Sequence, residues 1–205
     1  MVRKYSIFIC LAIITAAGLC QERKTQSEYA ALLARVKNAD VTVDFKQLRF
    51  TYMESPERHR AKDTRGTESD MLKAFGQKDY KKAIANADAV LEQQYVNMDA
   101  HFVEYLARRE LHEEEKSKFH EAIFRGLIKS IFDSGDGKST NTAYVVVSTE
   151  EEYMVLKVLG LRLGNQRLNQ EGGHRYDVLQ ATDRESNATV TVYFNVDIPF
   201  KHYLD

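Results

Sequence analysis

Cysteine, proline and tryptophan are scarce in this chain of 205 residues, which contains two cysteines, two prolines and no tryptophan. Both cysteines, Cys10 and Cys20, lie within the first twenty residues. The chain beyond them therefore has no disulfide and no thiolate chemistry. Two prolines and ten glycines also leave little room for long linkers. We expect one ordinary domain or two small ones.

Neither sign of charge dominates. Lys and Arg total 29 and Asp and Glu total 30, for a net charge of −1. This balance argues against a nucleic-acid-binding surface, so we expect no nucleic-acid partner. Hydrophobic residues at 43% and charged residues at 29% are ordinary globular proportions, which exclude disorder, collagen and coiled coil.

The N-terminal hydrophobic run is too short to span a bilayer. It covers residues 7–19, which as a helix reach about 20 Å, less than the ~30 Å of a hydrocarbon core. Arg3 and Lys4 precede the run, and small residues and then a polar stretch follow it. This order predicts a secretory signal peptide over 1–20, with an uncleaved anchor helix as the alternative. We therefore expect an exported protein, periplasmic or extracellular, without a membrane span.

Cys20 leaves two interpretations of how the signal ends. A cysteine at the end of a signal is similar to the lipid-attachment site of bacterial lipoproteins, which requires a small residue just before it. Leu19 occupies that position, which favours ordinary cleavage after Gly18 or Cys20. The alternative is a lipid anchor on Cys20, which would make the protein an outer-membrane lipoprotein.

Hydrophobic periodicity predicts helices in the first part of the chain. Apolar side chains recur at helical spacing over 28–36 and again over 45–53, and we expect Pro56 to end the second helix. The polar stretch 57–66 allows two interpretations, an anion-binding loop or a solvated connection. Its interleaved acidic and basic residues favour the solvated connection.

A helical hairpin is predicted next, over 71–111. Met71, Leu72 and Phe75 line a short helix, and a second helix begins at Asp79 with the sequence Asp-Tyr-Lys-Lys-Ala-Ile. The segment resembles a tetratricopeptide repeat, whose second helix often begins Asp-Tyr-x-x-Ala-Ile. It covers little more than one repeat, and a lone hairpin cannot bury its apolar face. The resemblance implies that other parts of the chain cover it.

The pattern changes from helices to strands after a long helix predicted at 113–132. We predict a short buried strand at 144–147 and then a helix with a capping box of Thr149 and Glu152 that ends at Gly160. The apolar residues assigned to this helix are Tyr153, Val155, Leu156 and Leu159.

Three further strands are predicted at the C-terminal end. Strands at 161–169 and 174–182 flank a glycine turn at 171–173, and a last strand covers 190–198. The last strand alternates strictly between two sets of side chains. Its apolar set is Val190, Val192, Phe194, Val196 and Ile198.

These elements predict an α+β fold, in which tetratricopeptide-like N-terminal hairpins pack with a small, mainly antiparallel C-terminal sheet and one helix. The hairpin and the apolar face of the last strand each need a cover. We therefore expect one composite domain over 21–205, with a helical half at about 22–133 and an α/β half at 141–203.

One motif is similar to a phosphate-binding loop without meeting its requirements. Residues 135–139 end in Gly-Lys-Ser, but Phe132 stands where the first glycine is needed. A helix also precedes the motif and a strand follows it, the reverse of the required order. We expect these glycines to end a helix and turn the chain, without a nucleotide cofactor.

The histidines do not follow a metal-binding pattern. The six are His59, His101, His112, His120, His174 and His202. His101 and Glu104 share a helix face, but no His-Glu-x-x-His or paired-cysteine spacing occurs. We expect surface or hydrogen-bonded histidines and predict no metal, no cofactor and no catalytic residue.

The outward set of side chains on the last strand is the one candidate ligand site. A groove lined by this row is the functional interpretation, although any solvated sheet face shows a similar pattern. The row consists of Thr191, Tyr193, Asn195 and Asp197.

The chain as a whole resembles an uncharacterised family of secreted or periplasmic bacterial proteins, the domain-of-unknown-function 4919 type, from about Asp44 to Phe200. The resemblance implies no activity, cofactor or catalytic residue. The motifs that carry it are Asp44-Phe45-x-x-Leu48-Arg49-x-x-Tyr52, Ser134-Gly135-Asp136-Gly137-Lys138-Ser139, Glu151-Glu152-Tyr153, Tyr176-Asp177-Val178 and Tyr193-Phe194-Asn195.

Two functions from different classes are compatible with these observations. The first is a non-enzymatic binding or scaffold module of the bacterial cell envelope, whose partner is another envelope protein or a peptide. The alternative is a small envelope hydrolase that uses carboxylate or histidine acid/base groups. A deep pocket with two carboxylates of displaced pKa favours the hydrolase, whereas a broad groove or a sheet edge favours the binding module. The oligomeric state is left open.

Overall fold

The computed structural model describes residues 28–202, which fall into two compact units divided between Lys62 and Asp63. The predicted signal peptide and Cys20 lie outside the described residues. The composite domain over 21–205 stays a prediction. Between residues 28 and 202, no helix is long and apolar enough to cross a membrane.

The first unit consists of three helices. These are α1, described over 28–37, α2 at Phe45–Met53 and α3 at Pro56–Arg60. Asp44 caps α2, because its carboxylate accepts the N–H of Gln47. The rings of Tyr29 and Tyr52 pack together inside this unit with centroids 5.3 Å apart. Most of the apolar residues predicted over 28–36 and 45–53 are buried in this unit, namely Tyr29, Val36, Phe45, Leu48, Tyr52 and Met53.

Pro56 begins a short helix that runs into the polar stretch 57–66 and has no buried residue. Although α2 ends before it, Pro56 is the first residue of α3, where the missing N–H of proline costs no hydrogen bond. The Ser55 hydroxyl accepts the N–H of Arg58 and caps this turn. Part of the polar stretch is therefore helical.

The second unit begins with four helices that pack each against the next in chain order. They are α4 at Arg65–Gly76, α5 at Tyr80–Gln93, α6 at Met98–Glu110 and α7 at Glu114–Phe132. Side chains of Asp79 and Asn97 cap α5 and α6. One assignment was wrong, because Leu72 of α4 is 46% exposed while Met71 and Ala74 are buried. The tetratricopeptide resemblance stays a prediction.

A four-stranded mixed sheet follows and confirms the α+β class. Its strands are β1 at Tyr144–Val145, β2 at Leu161–Glu171, β3 at His174–Asp183 and β4 at Thr189–Asn195, with α8 at Thr149–Val158 and α9 at Asp197–His202. The strand order is β1-β4-β3-β2. Strand β1 pairs with β4 in parallel, and the other two pairs are antiparallel.

The two faces of the sheet have different covers. Leu179, Val192 and Phe194 belong to one face, which also carries Asp177 opposite Glu152 of α8. We call this the helix-covered face. On the other face Tyr176, Val178 and Tyr193 pack with Ala143, from the loop after α7. We call this the loop-covered face.

The region around α8 differs from the prediction in three ways. Strand β1 covers only two residues of 144–147. The expected capping box does not form, because Glu151 rather than Glu152 reaches back, accepting the N–H of Val147. The buried positions of α8 are Glu151, Glu152, Met154, Val155 and Leu156, whereas Tyr153 and Leu159 are 44% and 40% exposed.

Candidate functional site

The predicted ligand row of Thr191, Tyr193, Asn195 and Asp197 does not form one continuous groove. Thr191 is exposed, but Tyr193 is partly buried in the Ala143 cluster. The strand ends at Asn195, and Asp197 is the first residue of α9. The prediction that the strand reaches residue 198 was wrong. The N–H of Asp197 donates to Oδ1 of Asn195 instead of continuing the ladder.

Asn195 and Asp197 nevertheless meet a histidine at the end of the sheet. Nδ1 of His174 lies 2.6 Å from Oδ2 of Asp197. Oδ1 of Asp197 accepts the backbone N–H of Arg175, and Asn195 donates to Oδ2. Burial, the largest single influence, raises the pKa of Asp197, but the hydrogen bonds from the Arg175 N–H, His174 and Asn195 together outweigh it and hold the pKa below its ordinary value. His174 is exposed, so this pair is an oriented histidine on the surface.

The glycine loop at 134–143 is closed by its own hydrogen bonds. The N–H groups of Asp136 and Gly137 both donate to the carbonyl of Thr142, and the N–H of Lys138 donates to the Asp136 carboxylate. A phosphate-binding loop needs such N–H groups free for its ligand. The Gly137 carbonyl accepts the N–H of Tyr193, so the loop joins β4 to the region after α7.

A buried polar cluster joins α6 to α7. Its core residues are His101 and Glu104, both with 0% exposure, Arg108 and His120. Nδ1 of His101 lies 3.0 Å from Nδ1 of His120, and Nε2 of His120 lies 3.7 Å from Oε2 of Glu104. Arg108 donates to Glu104 and, at 2.6 Å, to Glu113.

Burial displaces three pKa values in this cluster. It raises the pKa of Glu104 to about 7 against the opposing charge of Arg108. It lowers the pKa of His101 to about 4 and that of His120 to about 3, so both rings are neutral at neutral pH. Displaced pKa values often mark functional sites. Here Glu104 and His101 are enclosed by protein, and we assign the cluster to the stability of the α6–α7 pair.

A second carboxyl group is buried beneath the sheet. Glu152 of α8 is 1% exposed, and its Oε2 has no hydrogen-bond partner among the described residues. Burial, with the nearby Asp177 charge as a second cause, raises its pKa to about 9. Glu152 is therefore an uncharged carboxylic acid at neutral pH. Within 28–202, no three His, Cys, Asp or Glu residues are grouped to hold a metal ion.

The outer edge of β2 is exposed. Strand β2 pairs with β3 on one side, and no described strand lies on its other side. Residues 162–168 are all exposed, including Leu163 at 39% and Leu168 at 57%. A register shift between Leu163 and Gln166 marks a β-bulge.

Residues 17–205 match the family described as Domain of unknown function (DUF4919). The chain belongs to this family. The resemblance drawn from the sequence is therefore confirmed at the level of the family. No curated protein and no solved structure matches the chain.

Sequence reasoning about this DUF4919 protein missed the buried polar cluster, the buried carboxyl group of Glu152 and the free edge of β2. His101 and His120 are nineteen positions apart, and no local spacing shows that their rings meet. Glu152 was assigned to a cap because Thr-x-x-Glu is a capping pattern. A signal for the edge was available, because 161–171 lacks the strict alternation of the last strand.

Proposed function

We propose that this DUF4919 protein is an exported, non-enzymatic binding module of the bacterial cell envelope that takes an extended protein segment along the outer edge of β2. The exposed, unpaired edge of this long strand is the observation that carries the proposal.

The edge offers both the hydrogen bonds and the length for such binding. Eleven residues make up β2, about 36 Å of strand at ~3.3 Å per residue. An edge strand presents a row of unpaired N–H and C=O groups, which an added strand can satisfy. Exposed Leu163 and Leu168 add apolar contacts at the same edge. Main-chain pairing gives affinity, and side chains then select the partner.

The proposed location follows from the N-terminal sequence pattern. A basic start, an apolar run of 7–19 and small residues precede the first described helix, an order typical of export signals. An exported protein meets envelope proteins and peptides, so we place the partner among them. We propose a periplasmic or extracellular location, with a lipid anchor on Cys20 as the alternative.

Site-specific photocrosslinking in the exporting cell tests the proposed function. A benzophenone amino acid at Leu168, with the same residue at Leu72 as the control, places one reactive group on the edge and one on α4. Both leucines are exposed. We expect adducts at Leu168, mapped by mass spectrometry to one extended segment. Adducts at Leu72 alone, or at neither position, would contradict the proposal.

The His174–Asp197 pair favours the alternative, a small envelope hydrolase. A histidine whose Nδ1 side is held by a carboxylate can act as a general base through Nε2. A hydrolase of this kind would cleave a chromogenic ester or phosphate monoester, and His174→Ala would abolish the cleavage. A signal that survives His174→Ala would remove this candidate. We favour the binding module, because the carboxyls of Glu104 and Glu152 are buried.

A further inference from the structure

We propose that the extended segment bound along β2 is β2 of a second copy of this chain, so that two copies form one continuous eight-stranded sheet. This proposal rests on the proposed function, because it names the partner for the same edge. The two β2 strands run antiparallel across a two-fold axis, which makes the interface self-complementary.

The pairing of β2 with β3 fixes which face each β2 side chain belongs to. Directly opposite residues in an antiparallel pair share a face. Leu161, Leu163, Gln166 and Leu168 stand opposite residues of the helix-covered face. The loop-covered face carries Arg162, Arg167, Asn169 and Glu171. The bulge shifts the alternation by one residue between Leu163 and Gln166.

This shift selects the registers that two copies can adopt. A register is acceptable only where residues brought opposite each other share a face, since a one-residue slip sets inner side chains against outer ones. One register that meets this condition sets Leu163 opposite Leu168 of the second copy. Leu161 then faces Gln170, and Arg162 faces Asn169.

A second register, shifted by two residues, also matches the faces but is disfavoured by charge. It sets Leu163 opposite Gln166 and Arg162 opposite Arg167, at two symmetry-related places. Like charges directly opposite each other destabilise a strand pair. A register shifted by two residues in the other direction from the first sets Gln166 opposite Arg167. These residues belong to different faces, so this register does not meet the condition.

The first register also pairs the exposed features of the edge. Leu163 and Leu168 are both exposed, and each covers the other across the axis, twice. Arg162 stands opposite Asn169 of the second copy, with Glu171 of that copy on one diagonal and Arg167 on the other, so that its like charge is no longer directly opposite. The two bulges meet at the axis, where Asn165 stands opposite Gln166. The bulge therefore lies at the centre of the pairing and does not interrupt it at one end.

Sedimentation of the exported protein tests the second copy directly. We expect a concentration-dependent dimer, with a dissociation constant raised at least about tenfold in Leu168→Lys. Leu72→Lys is the matched control, because Leu72 is an exposed leucine on α4, away from β2, at 46% against 57% for Leu168, and it should leave the dimer unchanged. Circular dichroism of each variant checks that the fold is retained.

Engineered thiols test the register. With Cys10 and Cys20 replaced by serine, Leu163→Cys and Leu168→Cys are prepared separately and mixed under mild oxidation. We expect a disulfide-linked dimer from the mixture and none from either variant alone. A linked dimer from Leu161→Cys mixed with Leu168→Cys, in its place, would overturn the register.

The results also separate this proposal from the proposed function. A protein that stays monomeric at all concentrations, while the Leu168 photocrosslinker maps to a different protein, overturns the second copy and keeps the edge as a binding site. A monomer without any adduct at Leu168 overturns both. Adducts that join Leu168 to the β2 peptide of the same chain, together with the dimer, support both.

Discussion

The Nδ1 atoms of His101 and His120 lie 3.0 Å apart, and the surrounding hydrogen bonds assign which ring donates. Nε2 of His101 lies 2.8 Å from the Tyr95 carbonyl oxygen, which can only accept, so this nitrogen carries the proton. Nδ1 of neutral His101 is then bare and accepts from Nδ1–H of His120. Nε2 of His120 is left without a proton, facing Glu104.

This arrangement predicts a loss of stability in acid. The two folded-state pKa values, about 4 and about 3, lie below the ordinary value of 6.5. The unfolded chain therefore takes up both protons as pH falls below 6.5, before the folded chain does. The contribution of these two neutral rings to the free energy of unfolding is complete above pH 6.5 and declines as pH falls towards 4. His120→Gln should reduce this decline by up to about 1.4 kcal/mol per pH unit, the value for one proton.

Urea unfolding between pH 7 and pH 4.5 measures the decline. Glu104, with a pKa raised to about 7, acts with the opposite sign between 4.5 and 7, so the comparison is between wild type and variant at each pH. His59→Gln, at an exposed histidine, is the control. Equal pH slopes for wild type and His120→Gln would contradict the assignment.

Glu152 predicts the opposite pH dependence. Its folded-state pKa of about 9 lies above the ordinary 4.5, so the folded chain holds a proton that the unfolded chain has lost. The contribution is complete below pH 4.5 and declines as pH rises towards 9. Glu152→Gln keeps the shape without the ionisation. Between pH 6 and 8.5 it should flatten the dependence by up to about 1.4 kcal/mol per pH unit.

Glu150→Gln is the matched control for Glu152→Gln, because Glu150 is an exposed glutamate on the same helix. Chemical unfolding at several pH values gives both slopes. If the two variants change the slope equally, burial of Glu152 is not the cause.

The glycine loop predicts a contrast between two neighbouring positions. Gly137 has φ +68°, and an added Cβ would lie 2.7 Å from Cδ2 of the Tyr144 ring. Gly137→Ala should therefore cost about 1–3 kcal/mol from the backbone alone, with the steric overlap in addition. Lys138 is exposed, so Lys138→Ala should change stability by no more than about 0.5 kcal/mol.

Thermal unfolding of the two variants measures this contrast, and titration calorimetry with ATP and GTP tests the loop as a ligand site. We expect no nucleotide binding that depends on Lys138. Tight binding abolished by Lys138→Ala would show that the loop N–H groups can be released for a phosphate.

The sequence predicted the helices and strands that pack through one continuous apolar face, because their apolar residues recur at regular spacing. Helices α4 to α7 each bury a regular stripe and β4 buries a regular face, so their apolar residues recur at 3.6 or 2 positions. The pattern failed where local hydrogen bonds decided the outcome. The Asn195 side chain accepts the N–H of Asp197 and donates to its carboxylate, which ends β4 although the alternation continues to Ile198.

The candidate sites were less predictable than the fold for a related reason. A buried Glu152 and a surface Glu150 have identical side chains, and only the packing of α8 on the sheet distinguishes them. The free edge of β2 likewise depends on strand order, which no spacing in the sequence specifies. Asn195 and Asp197 were placed in one row, whereas in the structure they bond directly to each other, and Asp197 also meets His174, a residue on another strand.

Processing of the N-terminal segment is a prediction about residues outside the described range. The basic, apolar and small-residue order predicts that 1–20 are absent from the exported protein. Intact-mass measurement decides it. A mass that includes the whole segment would contradict the secretory interpretation, whereas added acyl chains on Cys20 would establish the lipoprotein alternative.

Phe194 tests whether the helices of the second unit and its sheet unfold together. Its side chain is fully buried and lies 5.9 Å from the Tyr144 ring, which in turn packs on Phe132 at the end of α7. Phe194→Ala should cost roughly 3–5 kcal/mol, as for other buried aromatic side chains. Thr191→Ala, at an exposed position on the same strand, should cost no more than about 0.5 kcal/mol.

A large loss of stability in Phe194→Ala has two explanations: the sheet unfolds alone, or the helices unfold with it. Truncation after Ser134 separates these explanations. If α4 to α7 depend on the sheet for cover, the shortened chain exposes apolar surface on α7 and should be unstable or aggregate, because ordinary domains have only about 5–15 kcal/mol of stability to lose. Its thermal unfolding is compared with that of the full chain. A cooperative transition at the midpoint of the full chain would show that the helices fold without the sheet, and the expectation of one composite domain would then be wrong.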